Sequence, residues 1–100
     1  MATENAPIEA KDATLDVSVV ILTYNGEQHI DEILSSLTNQ RYEGTYEILV
    51  IDSGSTDSTL DIVATYPSVR LHQIPNSEFG HGKTRNLGAH LAKGRIVAYL

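Results

Sequence analysis

Tyr46-Glu-Ile-Leu-Val-Ile-Asp-Ser-Gly-Ser-Thr-Asp57 runs from an apolar segment straight into a polar turn. The apolar segment reads as a strand, and Asp52 and Ser53, which follow it, are expected to emerge at the rim of a sheet. Within the turn, Ser55 or Thr56 can cap a helix that carries Leu60, Val63 and Ala64 on one side. Pro67 stops that helix.

Upstream, Val17-Ser-Val-Val-Ile-Leu-Thr23 is a mostly β-branched apolar run that ends near the turn signal Asn25-Gly26. A run so uniformly apolar suits a strand covered on both faces, as in parallel sheets. Ile30, Ile33, Leu34 and Leu37 then fall at i, i+3, i+4 and i+7, which predicts an amphipathic helix over about residues 27–39. Glu27 lies in its first turn and Arg41 just beyond its end, both favourable to the helix dipole.

Downstream, Val69-Arg-Leu-His-Gln-Ile74 predicts a third strand. A polar loop around Phe79 follows it and leads to a helix over about residues 84–93, with Gly94 as its stop. Arg95 to Leu100 begins a fourth strand, inside which the chain ends. The order β-α-β-α-β-α-β predicts an α/β fold, a mostly parallel sheet flanked by helices with right-handed crossovers. Residues 1–16, with no apolar period, read as a flexible leader to one folded unit over residues 17–100.

Composition narrows the function classes. With 100 residues, 41% of them hydrophobic, the chain suits one soluble domain. The absence of cysteine excludes disulfide scaffolds and thiolate chemistry. No run approaches the ~20 apolar residues of a membrane span, and the N-terminus has no signal-peptide pattern, so a cytoplasmic location is expected. The net charge of -6 argues against nucleic acid as a partner. Its distribution is uneven, with eight acids and one base in residues 17–66 but one acid and five bases in residues 67–100. A small anion suits that last third.

In open parallel sheets, ligands bind beyond the carboxyl ends of the strands, so the segments there are the candidate site. They contain Thr23, Tyr24 and Asn25 after the first strand, Asp52 and Ser53 after the second, and the stretch from Asn76 to Arg85 after the third. A carboxylate or hydroxyl held at such a rim can bond a ribose or a base edge, although a tight turn plus helix cap explains the same residues. Lys83 and Arg85 lie near the start of the third helix, where free N–H groups and two cations suit phosphate better than solvated surface charge alone would.

Other chemistries find no pattern. Gly82-Lys83-Thr84 lacks the glycine that an ATPase phosphate loop needs five positions earlier, where Ser77 stands. His29, His72, His81 and His90 have no metal-ligand spacing. There is no Gly-x-Ser-x-Gly elbow and no Gly-x-Gly-x-x-Gly fingerprint.

Four blocks taken in order carry a resemblance. Val17 to Asn25, Leu34-Ser-Ser-Leu-Thr-Asn-Gln40, Glu47 to Asp57 and Gly82-Lys-Thr-Arg-Asn-Leu-Gly88 resemble the N-terminal part of a family 2 glycosyltransferase. The likeness covers residues 17–100, and the block from Phe79 to Asn86 most resembles the rhamnosyltransferase-like branch. It implies a GT-A-type, Rossmann-like half-fold, a nucleotide-diphosphate sugar donor and transfer with inversion, in cell-surface polysaccharide synthesis. Carried over by position, Thr23, Tyr24 and Asn25 line the nucleoside pocket, Asp52 and Ser53 approach base or ribose, and Lys83 and Arg85 lie near the nucleotide.

Ser53 stands where many relatives carry an acid that reads uracil, which leaves UDP, dTDP and GDP open. The resemblance places the metal ligands for Mg²⁺ or Mn²⁺, the catalytic base and the site for a saccharide or lipid-linked acceptor after Leu100. The expectation is therefore a domain incomplete at its C-terminus, inactive alone, from a protein that works in the cytoplasm or at the inner face of the membrane. A non-catalytic nucleotide-binding module with the same half-fold is the alternative. A response-regulator-type domain would need acids at the first strand's end, where Thr23-Tyr24-Asn25 supplies none.

Overall fold

The computed structural model describes Asp12 and residues 14–100. Four strands, β1 (Val17–Thr23), β2 (Tyr46–Asp52), β3 (Val69–Gln73) and β4 (Ile96–Tyr99), alternate with helices α1 (Ile30–Thr38), α2 (Thr59–Val63) and α3 (His81–Leu91). The strands form one all-parallel sheet in the order β3-β2-β1-β4. The chain moves outward from β1 through β2 to β3, then crosses back to place β4 on the other side of β1. Crossovers of one hand then require helices on opposite faces.

The core obeys that geometry. With β1 and β2 paired Val17 to Tyr46, alternate residues point the same way along both strands. Ile21, Ile48 and Val50 pack with Ile30 and Leu34 of α1 and Val63 of α2. Val20, Leu49 and Ile51 pack on the opposite face with Ile74 and Leu87, the latter from α3. Both faces of β1 and β2 are thus covered, which is why their sequences are near-continuous apolar runs. β4 is covered on one face only, through Val97 and Tyr99, while Ile96 on its other face stays 58% exposed.

The N-terminal ends of the strands are tied by one carboxylate. Glu47 accepts hydrogen bonds from Ser18 Oγ at 2.5 Å and from the Lys93 backbone at 2.7 Å, and pairs with Arg70 at 3.2 Å. Ser18 Oγ accepts in turn from Gly94 N at 2.8 Å. This clasp draws the α3–β4 connection so close to β1 that a Cβ on Gly94 would stand 2.6 Å from the Val17 carbonyl carbon.

Several boundaries differ from expectation. Helix α1 starts at Ile30 rather than near residue 27: Gly26 O accepts from both His29 N and Ile30 N in a separate turn, and the bond from Ile33 N to His29 O opens the helix. Helix α3 spans His81–Leu91 rather than residues 84–93 and ends in extended backbone at Ala92. Gly94 is therefore required by close approach to β1 and not as a helix stop. β3 ends at Gln73 and β4 spans Ile96–Tyr99, each slightly shorter than expected. Of the expected leader, residues 1–11 and 13 lie outside the described ones. Asp12 N donates to Lys93 O at 2.9 Å, and Asp16 pairs with Arg95 at 2.9 Å.

Two glycines separate these causes. Gly94→Ala is expected to lower unfolding stability by about 1–3 kcal/mol through overpacking against backbone. Gly82→Ala, in α3 where a Cβ would meet no atom within 4 Å, is expected to raise it by up to about 1 kcal/mol. Urea denaturation of the two variants checks the opposite signs.

Candidate functional site

The loops at the carboxyl edge of the sheet are braced by a second carboxylate, this one buried. Asp52 ends β2 opposite Thr23, which ends β1, and its side chain is fully buried. Its Oδ1 accepts from Thr23 Oγ1 at 2.7 Å and Ser55 Oγ at 2.5 Å. Its Oδ2 accepts from the backbone N–H of Gly54 at 3.1 Å and of Ser55 at 2.8 Å. Four donors fill the acceptor capacity of a carboxylate. Such a curl back onto its own carboxylate requires Gly54 at φ +91°, in the left-handed region.

A second set of bonds joins the β1–α1 and β2–α2 loops. Asn25, at φ +50°, accepts through Oδ1 from the backbone N–H of Thr56 at 2.8 Å and of Asp57 at 3.3 Å. Ser58 N donates to Glu27 Oε1, and Glu27 N to Asp57 Oδ2. Burial would raise the Asp57 carboxyl, but the bonds it accepts from Thr59 Oγ1, Thr59 N and Glu27 N outweigh burial and hold its pKa below the ordinary 3.8.

These facts change the expected roles. Ser55 bonds Asp52, and the carboxylate of Asp57 rather than Ser55 or Thr56 accepts the N–H of Thr59 at the start of α2, at 2.9 Å. Asp52 does not emerge at the rim: its oxygens face inward, drawn there by four donors. Asn25 holds the neighbouring loop with its side chain.

Thr23, Tyr24 and Ser53 do come together. With Asn76, Phe79 and His81 they line a cleft of about 230 Å³ between the ends of β1 and β2 and the segment before α3. Asn76 begins a single 3₁₀ turn, Asn76–Glu78, and donates from Nδ2 to Ser53 O at 3.2 Å, which fixes that segment over the sheet edge. Asn76, Phe79 and His81 lie in the segment after the third strand that was expected to contact a nucleotide, although none of the three was singled out as a binding residue. Their one signal was an aromatic and a histidine in a polar loop between a strand and a helix.

Lys83 and Arg85 sit in the first two turns of α3, at its amino end as expected. Arg85 lies 4.9 Å from the ring centroid of Tyr99, whose hydroxyl donates to Arg85 O at 2.7 Å. Lys83 has no charged partner among the described residues. Among those residues, no three His, Cys, Asp or Glu side chains converge as a metal site. With Asp52 saturated, the cleft offers no free carboxylate for a divalent cation, so the residues present do not fit a metal.

A doubly wound parallel sheet with a cleft at its strand ends defines an α/β unit of the kind whose ligands bind beyond the carboxyl ends of the strands. The family model described as Glycosyl transferase family 2 matches residues 18–100, and the chain belongs to that family. An uncharacterised glycosyltransferase of Haemophilus influenzae is 51% identical over 98 residues, covering 95% of this chain and 28% of that protein. The poly(ribitol-phosphate) β-N-acetylglucosaminyltransferase TarS of Staphylococcus aureus is 38% identical over 87 residues, covering 83% of this chain and 15% of that protein.

A crystal structure of S. aureus TarS 1–349 superimposes with a TM-score of 0.76 at 38% identity, over 86% of this chain and 27% of that one. The same TarS segment in complex with UDP gives 0.70 at 33% identity, with the same coverage. The fold is therefore that of GT-A glycosyltransferases. The chain spans between 15% and 28% of the length of these relatives. None of those named here is described as a rhamnosyltransferase.

Two substitutions test the brace. Asp52→Ala leaves buried donors without a partner and is expected to cost about 1–3 kcal/mol or more in urea unfolding, whereas Thr56→Ala, at a position with little burial, is expected to fall within about 0.5 kcal/mol of the parent. For Asp57, a lowered folded-state pKa means stabilisation present above the ordinary 3.8 and lost as pH falls below it. Asp57→Asn should accordingly flatten the stability–pH curve in that acid window, and a slope equal to the parent's would contradict the assignment.

Proposed function

We propose that the chain is the donor-nucleotide half of a glycosyltransferase that moves a sugar from a nucleoside-diphosphate donor to a saccharide or lipid-linked acceptor in cell-surface polysaccharide synthesis. The observation that carries this reading is the strand-end cleft, in a chain that superimposes on a TarS segment solved with UDP. Of UDP, dTDP and GDP, that complex favours UDP. The name of the relative TarS, an N-acetylglucosaminyltransferase, supports a hexose-type donor.

Each group then has a task. Tyr24 and Thr23 bound the nucleoside, with Ser53 as the floor of its pocket. Asp52 and Asn25 shape the two loops that present them. Lys83 and Arg85 supply positive charge near the amino end of α3, where unpaired N–H groups already favour a diphosphate.

The transfer itself requires groups this cleft does not supply. In an inverting displacement the acceptor oxygen bonds the anomeric carbon, the bond from that carbon to the diphosphate breaks, and a carboxylate takes the acceptor's proton. Mg²⁺ or Mn²⁺ held by carboxylate oxygens would offset charge on the departing diphosphate. In this reading the base and the metal ligands come from polypeptide outside these residues. The chain alone binds nucleotide and transfers nothing.

No described helix is long and apolar enough to cross a membrane. The reading places the full-length protein in the cytoplasm, at the inner membrane face where a lipid-linked acceptor would be met.

Calorimetric titration with UDP, dTDP and GDP is expected to show weak binding, strongest for UDP. The double variant Lys83→Ala, Arg85→Ala should lose about tenfold in affinity, the equivalent of about 1.4 kcal/mol. Absence of binding by every nucleotide removes the donor-site reading, and unchanged affinity in the double variant returns both cations to solvated surface. Sugar transfer catalysed by the chain alone would overturn the placement of the base elsewhere.

A further inference from the structure

Most polar side chains of the cleft are already committed. Thr23 Oγ1 donates to Asp52, Ser53 Oγ to Thr23 O at 3.3 Å, and Asn76 Nδ2 to Ser53 O. Ser53 is also only 2% exposed. Among the described lining residues, the imidazole of His81 and the hydroxyl of Tyr24 make no hydrogen bond. A planar base entering here would therefore meet its free polar partners on the two sides of the cleft rather than on its floor.

His81 is held for such a role. It is the first residue of α3, whose start is fixed by Thr84: Thr84 N donates to Gly80 O at 2.7 Å, and Gly80 N to the Oγ1 of the buried Thr84 at 3.2 Å. The ring of Phe79 stands edge-on to the imidazole, with centroids 5.0 Å apart and planes at 76°. Phe79 and Tyr24 are themselves exposed aromatics on one small cleft, apolar surface that a stacked base would cover. A neutral imidazole brings one donor and one acceptor, which suits the mixed edge of a nucleobase.

We propose that His81, steadied by Phe79, reads the edge of the nucleobase and sets which nucleoside diphosphate the cleft accepts. The proposal rests on the donor-site reading above. It assigns base discrimination to the segment before α3 and leaves the diphosphate to Lys83 and Arg85.

The test is a nuclear magnetic resonance titration of the parent chain and its variants with UDP, GDP and pyrophosphate. His81→Ala is expected to weaken UDP by about tenfold, to move the ratio of UDP to GDP affinities toward one, and to leave pyrophosphate unchanged. His81→Gln, which keeps a donor and an acceptor, should recover most of the loss, and Phe79→Leu should shift the ratio in the same direction as His81→Ala. His81 is exposed and makes no hydrogen bond, so the variants are expected to unfold at the parent's temperature.

A parent chain that binds UDP while His81→Ala keeps both affinity and ratio overturns this proposal and spares the donor site. Equal losses for UDP and pyrophosphate overturn it too, since His81 would then act on the phosphates or the fold. A parent chain that binds no nucleotide removes both readings.

Discussion

A carboxylate buried without a cation must find its compensation in hydrogen bonds, and Asp52 finds it in four. Those bonds tie the end of β1 to the end of β2 and curl the following loop back over the sheet. Hydrogen bonds to a charged group contribute about 1.5–3 kcal/mol each, while a buried charge left unpaired costs several. The loop consequently has one favourable arrangement. Everything at the carboxyl edge is built outward from it: Asn25 bonds the next turn, Asn76 bonds Ser53, and Phe79 and His81 follow.

Glu47 does the corresponding work at the other end of the strands, binding Ser18, Arg70 and the connection from α3 to β4. Two acids of one strand thus fix opposite edges of the same sheet. Between them lie Ile48 to Ile51, which tie both apolar layers together. The frame is rigid where the cleft needs it, and the groups left uncommitted lie on the side chains of the cleft walls. Division of labour follows from this: Asp52 and Glu47 with its partner Arg70 hold the scaffold, while Tyr24, Phe79 and His81 line the cleft.

Much of this was legible in the linear pattern. Continuous apolar runs at Val17–Thr23 and Tyr46–Asp52 identify strands covered on both faces, and the 3.6-residue stripe from Ile30 to Leu37 identifies α1. The four quoted blocks pointed to the family that the profile and the solved relatives bear out. Less legible were the ends of elements. Residues 27–29 continue the helical pattern, yet they form a separate turn in which Gly26 O accepts from His29 N and Ile30 N, anchored by side chains some thirty residues away that bond the N–H groups of Asn25, Gly26 and Glu27. Gly94 likewise resembles a helix stop until β1 is seen against it.

By itself, then, the sequence determined the alternation of elements, the parallel sheet, the family, and which strand ends carry polar residues. All of these depend on local period and composition. Tertiary structure alone decided what those polar residues do. Whether a carboxylate after a strand faces a ligand or its own loop depends on which donors the fold brings within hydrogen-bonding distance, and for Asp52 it brings enough to fill it. The cleft was decided the same way, since Tyr24, Phe79 and His81 meet only because β3 ends beside β2 and the crossover to β4 carries the start of α3 back over the sheet edge.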